Sequence, residues 1–216
     1  MHNSPELDSR EYKMHRMNLM FEKGPLFYTE FNIRLFLLLI FKRADMLISN
    51  DLDTLIPNYL VSKIKKTPLV YDSHEYFTEV PELVKRKHIQ HIWKFIERKI
   101  FPKLTNVITV NDSIADLYYN DYGIRPYVVR NIPRSTKSPI KATRKSLGLP
   151  EDTNILILQG SGINVQRGAE ELIEAMQFVD NAILLIIGGG DVINHLIEMV
   201  SKLGIKNKII FKPRLP

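Results

Sequence analysis

Arg167 and Gly168 stand behind a turn that carries two glycines, Gln159-Gly160-Ser161-Gly162, which itself follows the apolar run Ile155-Leu156-Ile157-Leu158. Glycines at such a turn let the backbone approach a ligand without interference from a Cβ. A guanidinium beside a helix start offers an anion a fixed cation and unsatisfied amides. The pattern suits a phosphate or diphosphate, and a turn that is glycine-rich for purely steric reasons accounts for it equally well. A second turn, Gly188-Gly189-Gly190, follows Leu184-Leu185-Ile186-Ile187. Asp191 behind it favours a helix start but would compete with a bound anion. Residues 188–190 therefore read as a ligand-facing turn more than as a second phosphate clamp.

Polar residues gather at three other places where apolar runs end. These are Asn50-Asp51, Asp72-Ser73-His74-Glu75 and Asn111-Asp112-Ser113. In parallel α/β sheets the carboxyl ends of the strands line the ligand crevice. His74, between Asp72 and Glu75 and with Glu79 beyond, has the chemistry of a proton acceptor or of a hydrogen-bond partner for an acceptor hydroxyl. The bland alternative is a loop histidine among solvated neighbours. The asparagine and aspartate pairs at 50–51 and 111–112 read as helix caps before they read as site residues.

Several chemistries are disfavoured by what the sequence lacks. Gly160-Ser161-Gly162 runs on into Ile163, Asn164 and Val165, so the third glycine of a dinucleotide fingerprint is missing, and no GxxxxGK[ST] loop occurs. The six histidines show no HExxH spacing, and Asp72, His74 and Glu75 on one loop make a poor chelate, so no metal is expected. With no cysteine in 216 residues, disulfides and thiolate chemistry are excluded, which fits a reducing cytoplasm. A net charge of +6 favours anionic partners, or serves solubility alone. The basic residues are scattered without an aromatic-basic pattern, so nucleic acid is not an expected partner. Residues 1–16 are polar and mixed in charge, unlike a signal peptide. The apolar run at 35–41, bounded by Arg34 and Lys42-Arg43, has seven residues against the roughly 20 needed to span a bilayer. It reads as a buried helix, or at most a surface-seeking one.

The elements that must position these residues alternate between strand and helix. Strands are expected at 44–49, 68–71, 107–110 and 127–129. Helices are expected from about 28 to 42, at 53–65, at 89–104 on Ile92, Trp93, Phe95, Ile96 and Ile100, and at 114–120. Residues 134–152 are polar, basic and carry prolines, with at most one short helix near 143–147, and read as an interdomain connection. A second unit follows with strands at 154–158, 182–187 and 208–211 and helices at 168–178 and 192–203, the first of these strands read as buried. Alternation of this kind implies a parallel sheet covered on both faces. The expected domains are 1–133 and 153–216, joined by 134–152. The first has no opening strand and the second stops after three, so both read as incomplete.

Four segments, in this order and spacing, resemble the family 4 glycosyltransferases of the GT-B fold. They are LVYDSHEYFTEVPEL at 69–83, NVITVNDSIADLY at 106–118, VVRNIP at 128–133, and LQGSGINVQRGAEELIEAM followed by LLIIGGGD. The resemblance implies an α/β protein of two Rossmann-like parallel-sheet domains facing a cleft, both incomplete here. It implies a retaining transfer from a nucleotide-sugar, without metal or other cofactor, to a saccharide or lipid-linked acceptor, as in cell-surface polysaccharide or glycolipid synthesis. Under it, Gly160, Ser161, Gly162, Arg167, Gly168, Gly188, Gly189 and Gly190 bind the donor, and His74 and Glu75 serve the catalytic, acceptor side. A cytoplasmic location is implied, with peripheral contact to the inner face of the membrane as an option. Ser161 stands where family members often carry arginine, and Arg167 where lysine is usual. The family's later acidic motif lies beyond Pro216. Two other readings of the same fold are a nucleotide-sugar 2-epimerase and a shortened, non-catalytic nucleotide-binding protein.

Overall fold

Leu69, Tyr71 and Ser73 are buried and alternate with half-buried Val70 and Asp72, the period of two that a β-strand imposes on its faces. In the computed structural model, which describes residues 10–133 and 142–214, this strand lies inside the first of two compact units. The units divide between Pro133 and Arg134. Residues 1–9, at the head of the polar start, and 134–141, the first part of the expected connection, lie outside the described residues.

The first unit is a four-stranded parallel sheet of β1 (Leu47–Asn50), β2 (Leu69–Ser73), β3 (Asn106–Thr109) and β4 (Tyr127–Val128), in the order β1-β2-β3-β4. Its helices are α1 (Gly24–Phe41), α2 (Leu55–Lys65), the short α3 (Pro81–Val84), α4 (Lys87–Ile100) and α5 (Asp112–Tyr122). The Asn111 side chain caps α5, accepting from the Ile114 amide at 2.9 Å, and Gly123 ends the helix at φ +70°. Leu52, Leu55, Tyr71, Phe101 and Tyr118 form the fully buried centre, where the Phe101 and Tyr118 rings stack at 4.5 Å. Offset aromatic pairs of this kind add about 1 kcal/mol to the area they bury.

Two helices differ from the sequence expectation. Pro25 at its first turn starts α1 ahead of Tyr28, and the helix runs for 18 residues, with Phe27, Tyr28 and Phe31 adding apolar side chains ahead of the run at 35–41. Among the described residues α1 is thus long and apolar enough to cross a membrane, by length and composition alone. None of its residues is buried, so it is not the buried helix expected of the run at 35–41. Tyr28, Phe36, Leu39 and Ile40 pack on the core, whereas Leu26, Ile33, Leu37 and Phe41 are exposed along its outer side. In α4 the expected apolar face is only partly used: Ile92 and Phe95 are exposed, while Gln90 and Glu97 are buried beside Trp93. Hydroxyl donors to Glu97 and a carbonyl acceptor for Gln90, on neighbouring elements, make that burial of polar groups tolerable.

The second unit is a three-stranded parallel sheet, β5 (Asn154–Gly160), β6 (Ala182–Gly188) and β7 (Ile209–Lys212), in the order β5-β6-β7, with helices α6 (Ala169–Ala175) and α7 (Ile193–Lys202). Ile173, Met176, Leu184, Ile186 and Leu196 make its core. The central strand β6 is buried over Ile183–Ile186, but β5 is not the buried strand expected: Leu156 and Ile157 are exposed. The reason is its position at the sheet edge, since among the described residues β5 pairs only with β6. The described part of the expected connection, 142–152, is a 3-10 turn at Lys145–Leu147 laid against this unit. Arg144 Nη1 donates to the carbonyls of Pro150, Glu151 and Thr153, and Lys212 Nζ donates to that of Leu147.

Candidate functional site

The carboxyl ends of β1 and β2 bring His74 between two carboxylates. Its Nδ1 lies 3.3 Å from Asp51 Oδ2 and its Nε2 lies 3.5 Å from Asp72 Oδ2. The His74 amide donates to Asp51 Oδ1 at 3.0 Å, and the Asp51 amide donates to the Asp72 carbonyl at 2.8 Å. Imidazole, backbone and both strand ends are therefore locked as one unit, with the ring still about two-fifths exposed. Asp51 adopts φ +57°, a conformation that costs a non-glycine residue about 1 kcal/mol or more and is concentrated at functional positions.

The sequence favours Asn50-Asp51 as a cap, and the structure corrects that for the Asp51 side chain. Asp51 precedes a 3-10 turn, Leu52–Thr54, without capping it through its side chain, because its carboxylate is turned to His74. An aspartate after a strand is compatible with both roles in one dimension, and only the register of β1 on β2 decides. Asn111, by contrast, is a cap, and Asp112 pairs with Arg125 and Arg130.

Glu75 is held through its backbone, its carbonyl accepting from Ser73 Oγ at 2.8 Å. Ser73 Oγ also lies 2.9 Å from Tyr118 OH, and its carbonyl accepts from Thr109 Oγ1 at 2.8 Å. Further along, Gln90 Nε2 donates to the Thr78 carbonyl at 2.8 Å, and Thr78 Oγ1 donates to the buried Glu97 at 3.5 Å. The segment that carries His74 and Glu75 is thus fastened at both ends to the core. Sequence reading missed Glu97, which sits in a helix where any glutamate passes for solvated surface.

In the second unit the two glycine turns are joined to each other. The Ile163 amide donates to the Gly189 carbonyl at 2.9 Å, and the Gly189 amide to the Gly160 carbonyl at 3.2 Å. Asp191 Oδ1 accepts from the Val165 amide, and Asn164 Oδ1 from the Asp191 amide. The approach is so close that a Cβ at Gly188 would stand 1.8 Å from the Gly160 carbonyl oxygen, and one at Gly190 would stand 2.0 Å from that of Ile163. Gly188 and Gly190 are therefore required by backbone contact. Gly160 and Gly162 meet only ordinary van der Waals neighbours, and Gly189 meets none within 4 Å. Ser161 and Arg167 are exposed on the loop between, and Gly168, at φ +83°, leads into α6. That helix begins at Ala169 with Glu170 and Glu171 in its first turn, so carboxylates already complement its dipole.

Two units, each a parallel sheet with its polar and glycine-bearing turns at the carboxyl ends of the strands, make this an α/β protein of Rossmann-like construction. The sequence pattern of Glycosyltransferase Family 4 matches residues 2–135, and the chain belongs to that family. An uncharacterized glycosyltransferase of Methanocaldococcus jannaschii is 27% identical over 119 residues, covering 54% of this chain and 29% of the relative. Sucrose-phosphate synthase of Thermosynechococcus elongatus superposes with a TM-score of 0.63 at 18% identity, covering 88% of this chain and 49% of that one. Anabaena HepE, solved in complex with UDP, gives 0.59 at 18% identity, covering 89% and 52%. These structures share the GT-B glycosyltransferase fold. The chain spans under a third of the curated relative and about half of each solved structure.

Proposed function

We propose that the protein transfers a glycosyl unit from a nucleotide-sugar to an acceptor, with the anomeric configuration retained and without a metal. The observation that carries this is the His74 site, a histidine fixed between Asp51 and Asp72 at the strand ends of the unit that matches the family. Such a histidine suits the hydroxyl of an incoming acceptor, with Glu75 beside it, because its orientation is set before any ligand arrives.

Donor binding falls to the second unit. The joined turns at 160–162 and 188–190 form a rigid edge, and Ser161, Arg167 and Gly168 stand on the loop that follows. The amides of Ile163 and Val165 are already used within the turns, and α6 is short with an acidic first turn. The charge of a leaving diphosphate is therefore met chiefly by Arg167, whose guanidinium can engage it with two hydrogen bonds. Stabilising that developing charge is what a metal ion would otherwise do. That Anabaena HepE was solved with UDP supports a nucleoside diphosphate as the leaving group.

The exposed apolar side of α1, with Arg34, Lys42 and Arg43 beside it, supports a peripheral position on the cytoplasmic face of a membrane and a lipid-linked or saccharide acceptor at that surface. The test is incubation of the protein with a panel of nucleotide-sugars and membrane extract, following release of the nucleoside diphosphate and incorporation of labelled sugar. Transfer to extractable lipid or glycan supports the proposal. Conversion of the donor sugar to its C2 epimer, with no transfer, would replace it by the epimerase reading.

A further inference from the structure

Glu97 is fully buried, and among the described residues it forms no ion pair. Its partners are three hydroxyls from two elements, α5 and the turn at Phe77–Glu79. Tyr122 OH donates to Oε2 at 2.7 Å, Thr78 Oγ1 to Oε2 at 3.5 Å, and Tyr118 OH to Oε1 at 3.5 Å. A buried carboxylate held only by neutral donors is an expensive way to fill a core, since a glutamine or an apolar side chain would avoid the desolvation of a charge. Through Tyr118 and Thr78 it touches both ends of the segment that carries His74 and Glu75.

Proton counting shows why the ionisation state matters. Ser73 Oγ has one proton and gives it to the Glu75 carbonyl. Tyr118 also has one, and two acceptors lie within its reach, Ser73 Oγ at 2.9 Å and Glu97 Oε1 at 3.5 Å. An ionised Glu97 draws that proton toward itself and leaves Ser73 Oγ facing an oxygen lone pair. A Glu97 that has taken a proton from solvent donates to Tyr118 instead, and Tyr118 then donates to Ser73. A cavity of ≈ 270 Å³, lined by Tyr76, Thr78, Lys94, Arg98, Asp121 and Tyr122, reaches two of the three hydroxyls that hold Glu97, those of Thr78 and Tyr122, and brings solvent within one side chain of the carboxyl.

We propose that Glu97 is a positioning residue whose protonation sets, through Tyr118 and Thr78, where the segment carrying His74 and Glu75 stands at the end of β2. The bearing of this on the acceptor side rests on the function proposed above. The titratable groups around Glu97 are Tyr71 of β2, Tyr76 of the segment itself, and Tyr118, Asp121 and Tyr122 of α5. Lys94 and Arg98 of its own helix stand at the cavity, Lys94 paired with Glu79. Burial pushes the Glu97 carboxyl up to about 7, with Asp121 adding to the rise and the hydroxyl donors opposing it. Burial likewise raises Tyr71, Tyr76, Tyr118 and Tyr122, so all four stay neutral while Glu97 titrates.

The test is amide NMR of the 216-residue chain from about pH 5 to about pH 8. The amides of Ser73, Glu75 and Thr78 are expected to titrate together in the wild type, to go on doing so in His74→Gln, and to stop in Glu97→Gln. A common titration that survives Glu97→Gln overturns the proposal, as does one that vanishes in His74→Gln. Should Glu97→Gln not fold, Tyr122→Phe removes the 2.7 Å donor to the carboxylate and is expected to move the shared midpoint upward. An unmoved midpoint in that variant also overturns it. None of these readings depends on turnover, so a protein that fails to transfer sugar would end the functional proposal and leave this one standing.

Discussion

His74 Nδ1 lies 3.3 Å from a carboxylate oxygen of Asp51, a residue 23 positions earlier in the chain and on the neighbouring strand end. The pair is part-exposed, so it contributes under about 1 kcal/mol to stability. Its consequence is orientation. His74→Ala is expected to lower turnover by about a hundredfold while leaving donor affinity within about twofold. Asp51→Gly removes the carboxylate while relieving the positive φ, so it is expected to lose turnover to a similar degree without loss of stability. The double variant is expected to be no worse than His74→Ala, because the two act as one unit. Steady-state kinetics of the three variants decide, and additive losses would separate Asp51 from His74.

Gly188 and Gly189 are neighbours with opposite tolerance. A Cβ at 188 would collide with the Gly160 carbonyl at a φ of +136°, whereas at 189 it meets nothing within 4 Å. Gly188→Ala is expected to destabilise the second unit by about 3 kcal/mol or more, and Gly189→Ala by less than about 1 kcal/mol. Chemical denaturation of both variants checks this. Equal losses would mean that the turns at 160 and 188 are not held by backbone contact.

These glycines also show which part of the protein was legible in its sequence. Strand and helix alternation is written in runs such as 184–187 and in the cap at Asn111, because period and capping are local properties. Gly188-Gly189-Gly190 was legible as a turn but not as two contact glycines flanking a free one, since the collision partner lies about 30 residues away. Asp51 and Glu97 were hidden for the same reason. The first looks like a cap and the second like helix surface until β1 is in register with β2 and α4 has turned its polar side inward. Leu156 and Ile157 misled in the other direction, because apolar content marks what could be buried and not what a sheet edge leaves open.

Arg167 is exposed on the loop after the first glycine turn. If it meets the diphosphate as proposed, Arg167→Ala should weaken nucleoside diphosphate binding at least about tenfold, and Arg167→Lys by less, since charge is kept and the two-pronged geometry is lost. Calorimetric titration with UDP and GDP would show it. An unchanged dissociation constant in the alanine variant removes Arg167 from the donor site.

The outer side of α1 supplies a prediction independent of chemistry. Phe41 is 85% exposed and Leu37 49%, in line with Ile33 at 55%. Glutamate at both Leu37 and Phe41 is expected to reduce binding to anionic vesicles by about tenfold or more, with little change in thermal unfolding because neither side chain is buried. Sedimentation with vesicles of anionic and of neutral lipid separates the apolar from the electrostatic part. Retained binding by the double variant would move the membrane contact away from α1.

Glu97 ties stability to pH with a definite sign. The carboxyl lies at 4.5 where exposed and at about 7 in the folded protein. Below pH 4.5 both folded and unfolded chains hold the proton, and the stability of the neutral network is fully present. Between these values the unfolded chain releases its proton and the folded one keeps it, so stability falls as pH rises. Above about 7 both are ionised and the loss is complete, on the order of 3 kcal/mol at about 1.4 kcal/mol per pH unit. Glu97→Gln is expected to flatten this slope, so that the variant overtakes the wild type as pH rises past neutrality. Trp93, the single tryptophan and nearly buried on the same helix, reports unfolding of the first unit without interference from the second. Urea titrations followed at its fluorescence on either side of pH 7 make the comparison, and parallel pH profiles for the two proteins would show that Glu97 does not change its charge in this range.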